Sequence, residues 1–250
     1  MKKVIHLLSG PRNISTALMY AFAQHTELDV LDEPFYGYYL HAVKDREAHP
    51  MEVEILSAMP KCRDTILQQI NGLAKHRKVF IKNMAHHCLE SDPHYMAGWQ
   101  NIILIRHPKK LLASFSKVIE RPSLEAIGLK KASELSKFFD NVSIPYLIID
   151  SDQLMVDPPT YIEQMCEEIG LIYEPGMCKW PKGGNRADGI WAPYWYNNVH
   201  QSSGFNRPNI KDNIEHWNDH LESVLEEALP YYNHMRLRAL INKNTNATKI

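Results

Sequence analysis

The residues with the clearest capacity for chemistry near the start of the chain lie in LLSGPRNISTALM, residues 7–19. An apolar strand pattern runs into a polar turn and then into a helical pattern. A helix N-terminus presents free backbone N–H groups and a partial positive charge, so it can bind an oxyanion. Arg12, Ser15 and Thr16 add side-chain donors to those amides. The stretch predicts a phosphate-type site, although these residues could serve only as a helix cap and a surface charge.

This turn differs from the phosphate loop of nucleotide kinases. In that loop a Gly-Lys pair stands directly before the Ser or Thr, and no such pair precedes Ser15. A Mg-dependent kinase also needs an acidic residue to hold the metal, whereas the apolar strand 101–105 is followed by Arg106-His107-Pro108. The differences disfavour ATP chemistry and favour a ligand whose second phosphate is held by arginine.

A second pair of anion-binding side chains lies in IRHPKKLLASFSK, residues 105–117. Arg106 ends an apolar strand, and Ser114 lies inside the helix that begins at Pro108. With a rise of about 1.5 Å per residue, Ser114 lies one to two turns into that helix. Both side chains can reach one phosphate only if it lies alongside the helix. Taken alone, the pair better fits an Arg that ends a strand and a Ser on a helix face.

Strand and helix signals alternate along the chain. Short apolar runs predict strands at residues 4–9, 30–32, 78–82, 101–105 and 146–149. Helical spacing and cap residues predict helices at 14–24, 62–76, 108–119, 123–139, 157–170 and from about 214, with a kink or break at Pro230. This order predicts an α/β fold, a mostly parallel sheet with helices on both faces. Ligands bind beyond the carboxyl ends of such strands, where Arg12 and Arg106 both lie.

The composition fits one soluble domain. The 250 residues are 44% hydrophobic and 23% charged with a net charge of −1, so no basic field favours nucleic acid or an anionic membrane. The four cysteines form no CxxC pair and indicate reduced thiols. The first apolar run is too short for a signal peptide, and nothing resembles a membrane span. We expect a cytoplasmic protein without nucleic-acid or membrane partners.

Two late segments lack a strong periodic pattern. Residues 172–210 are rich in Gly, Pro, Asn and aromatic residues, which predicts a long ordered loop, or lid, that contacts cofactor or substrate. Residues 242–250 read NKNTNATKI. We predict that residues 243–250 form a frayed tail.

In this order, the motifs resemble the sulfotransferase family that uses 3'-phosphoadenosine-5'-phosphosulfate (PAPS), from residue 4 to about 205. Arg106 and Ser114 match the family's 3'-phosphate pair in identity and spacing, and residues 150–171 resemble the segment after the next core strand. The first loop resembles the 5'-phosphosulfate loop, which implies cofactor contacts from Pro11, Arg12, Asn13, Ile14, Ser15 and Thr16. Residues 180–205 fall where the family has a Gly- and Lys-containing cofactor loop, which makes candidates of Lys182, Gly183, Gly184 and Arg186.

Two groups compete as the base that removes the acceptor's proton. Glu33 follows a short strand, and Pro34 disfavours helix there and holds Glu33 extended; some bacterial members of the family use a Glu at this strand end. Other members carry a Lys and then a His after the next strand, which here suggests Lys82, reaching the sulfate, and His86 or His87. We prefer Glu33 to His86, and His86 to His87. The alternatives are an ion pair or helix cap for Glu33 and plain loop residues for the histidines.

The resemblance implies a single P-loop-type, three-layer α/β/α domain over residues 1–250. It implies sulfuryl transfer from PAPS to a hydroxyl or amine of a small soluble acceptor, with 3'-phosphoadenosine 5'-phosphate (PAP) as product. Many cytosolic members have Lys where Arg12 stands, and Arg is the poorer proton donor, so Arg12 would act electrostatically. No third ligand accompanies the paired histidines, and we expect no metal. A kinase-like P-loop enzyme and a non-catalytic nucleotide-binding protein remain alternatives.

Overall fold

The computed structural model describes residues 3–46, 48–205 and 217–248. A five-stranded sheet lies at the centre of this part of the chain. Its strands are β1 (Val4–Ser9), β2 (Leu28–Asp32), β3 (Lys78–Met84), β4 (Gln100–Ile105) and β5 (Tyr146–Asp150). They lie in the order β2-β3-β1-β4-β5, and every neighbouring pair is parallel. All five strands therefore end at one edge of the sheet, as the sequence predicted.

Helices cover both faces of the sheet. They are α1 (Ser15–Phe22), α2 (Tyr36–Ala42), α3 (Glu52–Ala58), α4 (Arg63–Ala74), α5 (Pro108–Phe115), α6 (Leu129–Asn141), α7 (Ser151–Leu154), α8 (Pro158–Ile169), α9 (Ala192–Trp195), α10 (Asn197–His200) and α11 (Asp219–Arg236). Short 3-10 helices lie at Ala85–His87, His94–Gly98, Pro175–Cys178 and Lys243–Thr248.

The sheet separates two hydrophobic cores because successive side chains of a strand point to opposite faces. In β1, Leu8 packs in the core formed with α4, α5, α6 and α11, whereas Leu7 packs in the core formed with α1, α2, α3 and α8. Both leucines are fully buried, as expected for the central strand of a parallel sheet. The three-layer α/β/α prediction is confirmed.

Buried polar residues interrupt the apolar centre of the sheet. His6 of β1 is buried, and its ring nitrogens lie 3.0 Å from Asn83 Nδ2 on β3 and 3.3 Å from Asn101 Oδ1 on β4. Burial lowers the pKa of His6 to about 4, so the ring is neutral at physiological pH. A buried imidazole needs partners for both nitrogens, and the two flanking asparagines supply them.

Several element boundaries differ from the prediction. Helix α6 begins at Leu129 instead of residue 123, because Gly128 adopts a left-handed φ of 71° just before it. Helix α11 continues through Pro230 without a break, since Ala228 and Tyr232 on either side of the proline are buried in the core. Its predicted start near residue 214 lies outside the described residues. Helices α2 and α3 were not predicted.

The two late segments are ordered where the structure describes them. Residues 172–205 contain α9 and α10, and a bridge between Lys179 and Gly204 joins the ends of this stretch; residues 206–210 lie outside the described part. The prediction of a frayed tail is wrong for its first residues. The Lys243 amide donates to Gln164 Oε1 at 3.0 Å, and the Thr245 hydroxyl donates to Gln153 Oε1 at 2.8 Å. Residues 249–250 are outside the described residues.

No helix within the described ranges combines the length and the apolar character needed to cross a bilayer.

Candidate active site

A cleft of about 2190 Å³ lies at the carboxyl ends of the strands. The turns after β1, β2, β3 and β4 all contribute to its walls. The residues predicted for the site that line this active-site cleft are Pro11, Arg12, Ile14, Ser15, Thr16, Glu33, Lys82, His86, His87, Arg106 and Ser114. Side chains far apart in sequence thus meet at the switch from strand to helix, where ligands bind in parallel sheets.

The first loop is held in an uncommon backbone conformation. Arg12 and Ile14 have φ angles of 59° and 64°, in the left-handed region that non-glycine residues rarely adopt. Gly10 is required because a Cβ there would lie 2.3 Å from the carbonyl oxygen of Ile127. No side chain caps α1, so the N–H groups of its first turn remain available to an oxyanion in the cleft. Ser15 is the first residue of the helix, not its cap.

Two side chains fix this loop from behind. Asn13 is buried and does not line the cleft; its Nδ2 donates to the Leu104 carbonyl at 3.2 Å. The Arg106 guanidinium, also buried, donates to the carbonyl oxygen of Arg12. Asn13 was predicted to contact cofactor, and the structure places it as an anchor of the loop on β4.

The two predicted anion-binding sets adjoin each other. Arg12 Nε donates to Ser114 Oγ at 3.0 Å, and Arg12 Nη1 lies 3.4 Å from the carbonyl of Trp195. Burial lowers the pKa of Arg12, but a guanidinium stays charged in proteins. A charged group partly removed from water gains strongly from a bound anion, so the two guanidinium groups at this end of the cleft suit an oxyanion.

Glu33 lies at the end of β2 in a buried ion-pair cluster. Lys82 Nζ donates to both Glu33 Oε1 and Asp32 Oδ1, the latter at 3.0 Å, and Lys82 is fully buried. Glu33 is not extended as predicted, since its φ is 44°. The reason is a turn: the Glu33 amide donates to the Lys82 carbonyl at 2.7 Å, and the Glu33 carbonyl accepts from the Tyr36 amide at 2.9 Å.

Burial and charge set the protonation of this cluster. Burial raises the pKa of Glu33, and the negative charge of Asp32 raises it further, while Lys82 opposes both. Burial alone would lower the pKa of Lys82, but the two carboxylates raise it above its ordinary value, so Lys82 stays an ammonium. A carboxylate whose pKa is moved towards neutrality is suited to general-base work.

The two histidines occupy different positions beside this cluster. His87 is buried, and its Nδ1 lies 3.9 Å from Glu33 Oε2. Its ring stacks on Tyr36 and Tyr39, with centroids 4.8 Å and 4.7 Å away, and burial lowers the pKa of His87 well below its ordinary value. His86 lines the cleft edge-on to Tyr39 at 5.1 Å. The neutral His87, rather than His86, is the histidine next to the carboxylate.

The predicted cofactor residues of the 180s do not reach the cleft. Lys182 and Arg186 are exposed, and neither they nor Gly183 line it. Asp188 determines the path of this segment. Its Oδ2 accepts a hydrogen bond from the Tyr20 hydroxyl at 2.7 Å and thereby ties the segment to α1. The structure places Lys182, Gly183 and Arg186 outside the lining of the cleft, and their contacts with cofactor stay a prediction.

Three site residues are outside the predicted catalytic and cofactor-binding sets. Asp32 directly precedes Glu33, and the adjacent pair of acids was an available signal. Tyr196 and Trp191 belong to an aromatic-rich stretch, but nothing in that stretch indicates contact with β2; the Tyr196 hydroxyl donates to Asp32 Oδ2 at 2.8 Å. Within the described part of the chain, no three His, Cys, Asp or Glu side chains are grouped to hold a metal ion.

A model of the sulfotransferase domain matches residues 1–239. The chain belongs to the sulfotransferase family. Two curated relatives from Arabidopsis thaliana, branched-chain-amino-acid aminotransferase-like proteins 1 and 2, are each 34% identical over 242 and 240 residues. These matches cover 94% of this chain and 42% and 41% of the relatives, so the chain spans about two fifths of their length.

Solved sulfotransferases share the fold of this member. The sulfotransferase domain of the Synechococcus PCC 7002 olefin synthase gives a TM-score of 0.54 at 16% identity, covering 90% of this chain and 94% of that one. A mouse sulfotransferase solved in complex with PAP gives 0.53 at 10% identity, covering 94% and 85%. At such identities the likeness concerns the fold. Family membership supports sulfuryl transfer as the class of reaction.

Proposed function

We propose that this protein transfers a sulfuryl group from PAPS to a hydroxyl, or an amine, of a small soluble acceptor. One observation carries the proposal: the buried Arg106 and the half-buried Arg12, beside an uncapped helix N-terminus, share a cleft with a buried carboxylate at the end of β2. The first set of groups suits a phosphosulfate anion, and the carboxylate suits removal of a proton from the acceptor.

The donor set fits the charge pattern of PAPS. The first-turn amides of α1, with Ser15 and Thr16, would hold the 5'-phosphosulfate, and Arg106 with Ser114 would hold the 3'-phosphate. When bound, PAPS supplies the activated sulfuryl group. Arg12 stands beside Ser114 and would stabilise the negative charge that develops on the leaving phosphate oxygen.

Glu33 would act as the general base. The proton of the acceptor O–H or N–H moves to the Glu33 carboxylate, the acceptor atom forms its bond to sulfur, and the bond from sulfur to the phosphate oxygen breaks, which leaves PAP. Lys82 Nζ already donates a hydrogen bond to Glu33 Oε1. The acceptor therefore approaches Oε2, the oxygen that faces His87. Tyr36, Tyr39 and Trp191 line the adjacent wall, where aromatic surfaces with polar tips suit an organic acceptor.

A cytoplasmic location and a single domain over residues 1–250 are parts of the same proposal. All four cysteines are free thiols, which agrees with a reducing compartment.

The first test is calorimetry of PAP binding beside ATP·Mg. We expect PAP to bind in the micromolar range and ATP·Mg to bind much more weakly. Hydrogen bonds to charged groups contribute about 1.5–3 kcal/mol each, so Arg106→Ala should weaken PAP binding at least about tenfold, and Ser114→Ala less. Arg77→Ala is the matched control, because Arg77 lies at the opposite end of β3 and pairs with Asp29. A preference for ATP·Mg, or full PAP affinity in Arg106→Ala, would contradict the proposal.

A further inference from the structure

A hydroxyl from the late segment reaches the carboxylate cluster. Tyr196 directly follows α9 and is buried. Its oxygen lies 2.6 Å from Lys82 Nζ, 2.8 Å from Asp32 Oδ2 and 3.4 Å from Glu33 Oε1. Three charged groups, from β2, the turn after it and β3, thus meet at one neutral side chain.

The bonding capacity of this hydroxyl is fully used. A tyrosine oxygen accepts two hydrogen bonds and donates one. Trp191 Nε1, at 3.0 Å, and Lys82 Nζ supply the two donors. The proton of Tyr196 must therefore point to the carboxylates, and burial raises the pKa of Tyr196 well above its ordinary value, so the proton is retained.

Asp32 completes the arrangement. Its Oδ2 accepts from the Gly189 amide at 3.0 Å as well as from the Tyr196 hydroxyl, and its Oδ1 accepts from Lys82. Lys82 is thereby held between Asp32, Tyr196 and Glu33. Among the described residues, the hydrogen bonds of the Glu33 carboxylate all involve Oε1.

We propose that Tyr196 and Asp32 are positioning residues for Glu33: they hold Lys82 against Oε1, which leaves Oε2 directed to the acceptor. This inference rests on the proposed function, in which Glu33 is the base. Neither residue touches the reacting atoms. The late segment, through Gly189, Trp191 and Tyr196, therefore contributes to the geometry of the base as well as to the cleft wall.

The two residues influence Glu33 in opposite directions. The groups that face Glu33 are Asp32 on β2, Lys82 on β3, His87 after β3, Tyr36 on α2 and Tyr196. The charge of Asp32 raises the pKa of Glu33, whereas the hydrogen bond from Tyr196 lowers it. Asp32→Asn should therefore move the titration of Glu33 to lower pH, and Tyr196→Phe should move it to higher pH.

The direct test is NMR titration of protein labelled with ¹³C at the glutamate side-chain carboxyl, with the Glu33 signal assigned by its loss in Glu33→Gln. We expect shifts of about one pH unit, opposite in sign, in the two variants. Tyr194→Phe is the matched control, since Tyr194 lies on the same segment and is 56% exposed; Asp29→Asn serves likewise on β2. An unchanged Glu33 titration in both variants, or shifts of the same sign, would overturn the proposal.

Activity separates this inference from the function on which it rests. The acidic limb of kcat/KM against pH should move with each titration, while PAP affinity stays at the wild-type value. If Glu33→Gln retains full transfer activity, the assignment of the base is wrong. The NMR shifts would still test whether Tyr196 and Asp32 act on Glu33. If wild-type protein transfers sulfate and the pH profiles of both variants equal its own, the positioning proposal alone is refuted. Should Asp32→Asn not fold, Tyr196→Phe carries the test.

Discussion

Replacing Lys82 with Met tests whether its ammonium compensates the buried negative charges of Asp32 and Glu33. Lys82 is fully buried, and the two carboxylates that it contacts, Asp32 and Glu33, are also buried. Methionine keeps the length of the apolar stem and removes only the ammonium. Removing one partner of a buried pair leaves uncompensated charge, and this typically costs about 3–5 kcal/mol.

For a chain of this size each kcal/mol corresponds to about 2–4 °C in the midpoint of thermal unfolding, so Lys82→Met should lower that midpoint by about 6–20 °C near pH 8. The deficit should depend on pH. Without the ammonium, the pKa of Glu33 in the folded protein rises further above its value in the unfolded chain. A group with a raised pKa disfavours the folded state when it is ionised, so the deficit should shrink as pH falls.

Thermal and denaturant unfolding at pH 8 and pH 5.5 would measure both effects. Lys78→Met is the matched control, since Lys78 lies on the same strand and pairs with Glu27 at the surface, where removal costs at most about 1 kcal/mol. The double variant Lys82→Met/Glu33→Gln should recover part of the loss, because it removes one of the uncompensated charges. A deficit no larger than that of Lys78→Met, or one that grows at lower pH, would refute the reasoning.

Three further predictions concern activity. Glu33→Gln should lower kcat/KM by about 10²–10⁴ with PAP affinity unchanged in calorimetry, and equal loss of both would argue for a structural role. Because the pKa of Glu33 is raised, kcat/KM of the wild type should fall about tenfold per pH unit from a pH above the ordinary glutamate range, and a flat profile down to pH 4 would contradict this. Arg12→Ala should lower kcat more than Arg12→Lys does, since Lys keeps the charge and loses the fork; equal rates would exclude an electrostatic role.

The central sheet could be predicted from sequence because each strand contains a short apolar run, and the run of β4 is nearly pure. Residues 101–105, for example, are buried on both faces, and this pattern is visible without a structure. Helices α2 and α3 escaped prediction because each has only seven residues, too few to establish a helical period. The break expected at Pro230 is absent for another reason. Packing of the flanking turns outweighs the preference of proline for ending a helix, so α11 continues through it.

The site, like the fold, contains residues that the sequence could predict and residues that it could not. Arg12, Glu33 and Arg106 follow strands, and topology alone brings strand ends together. The bond from Tyr196 to Asp32 spans 164 residues, and no local pattern encodes which tyrosine of the late segment turns inwards. The position of Lys182 outside the cleft lining has the same origin, because the hydrogen bond from Tyr20 to Asp188 ties that segment to α1.

The left-handed backbone at Arg12, Ile14 and Glu33 has a consequence for engineering this protein. Such conformations cost about 1–3 kcal/mol each in non-glycine residues, and here they cluster where the proposed chemistry takes place. A selection for heat resistance should therefore enrich glycine at position 14, because glycine removes the strain of a β-branched residue. Variants chosen in that way would survive heating and yet hold the loop after β1 less rigidly. Thermostabilisation of this scaffold should accordingly target α4 or α11 and leave the loop after β1 untouched.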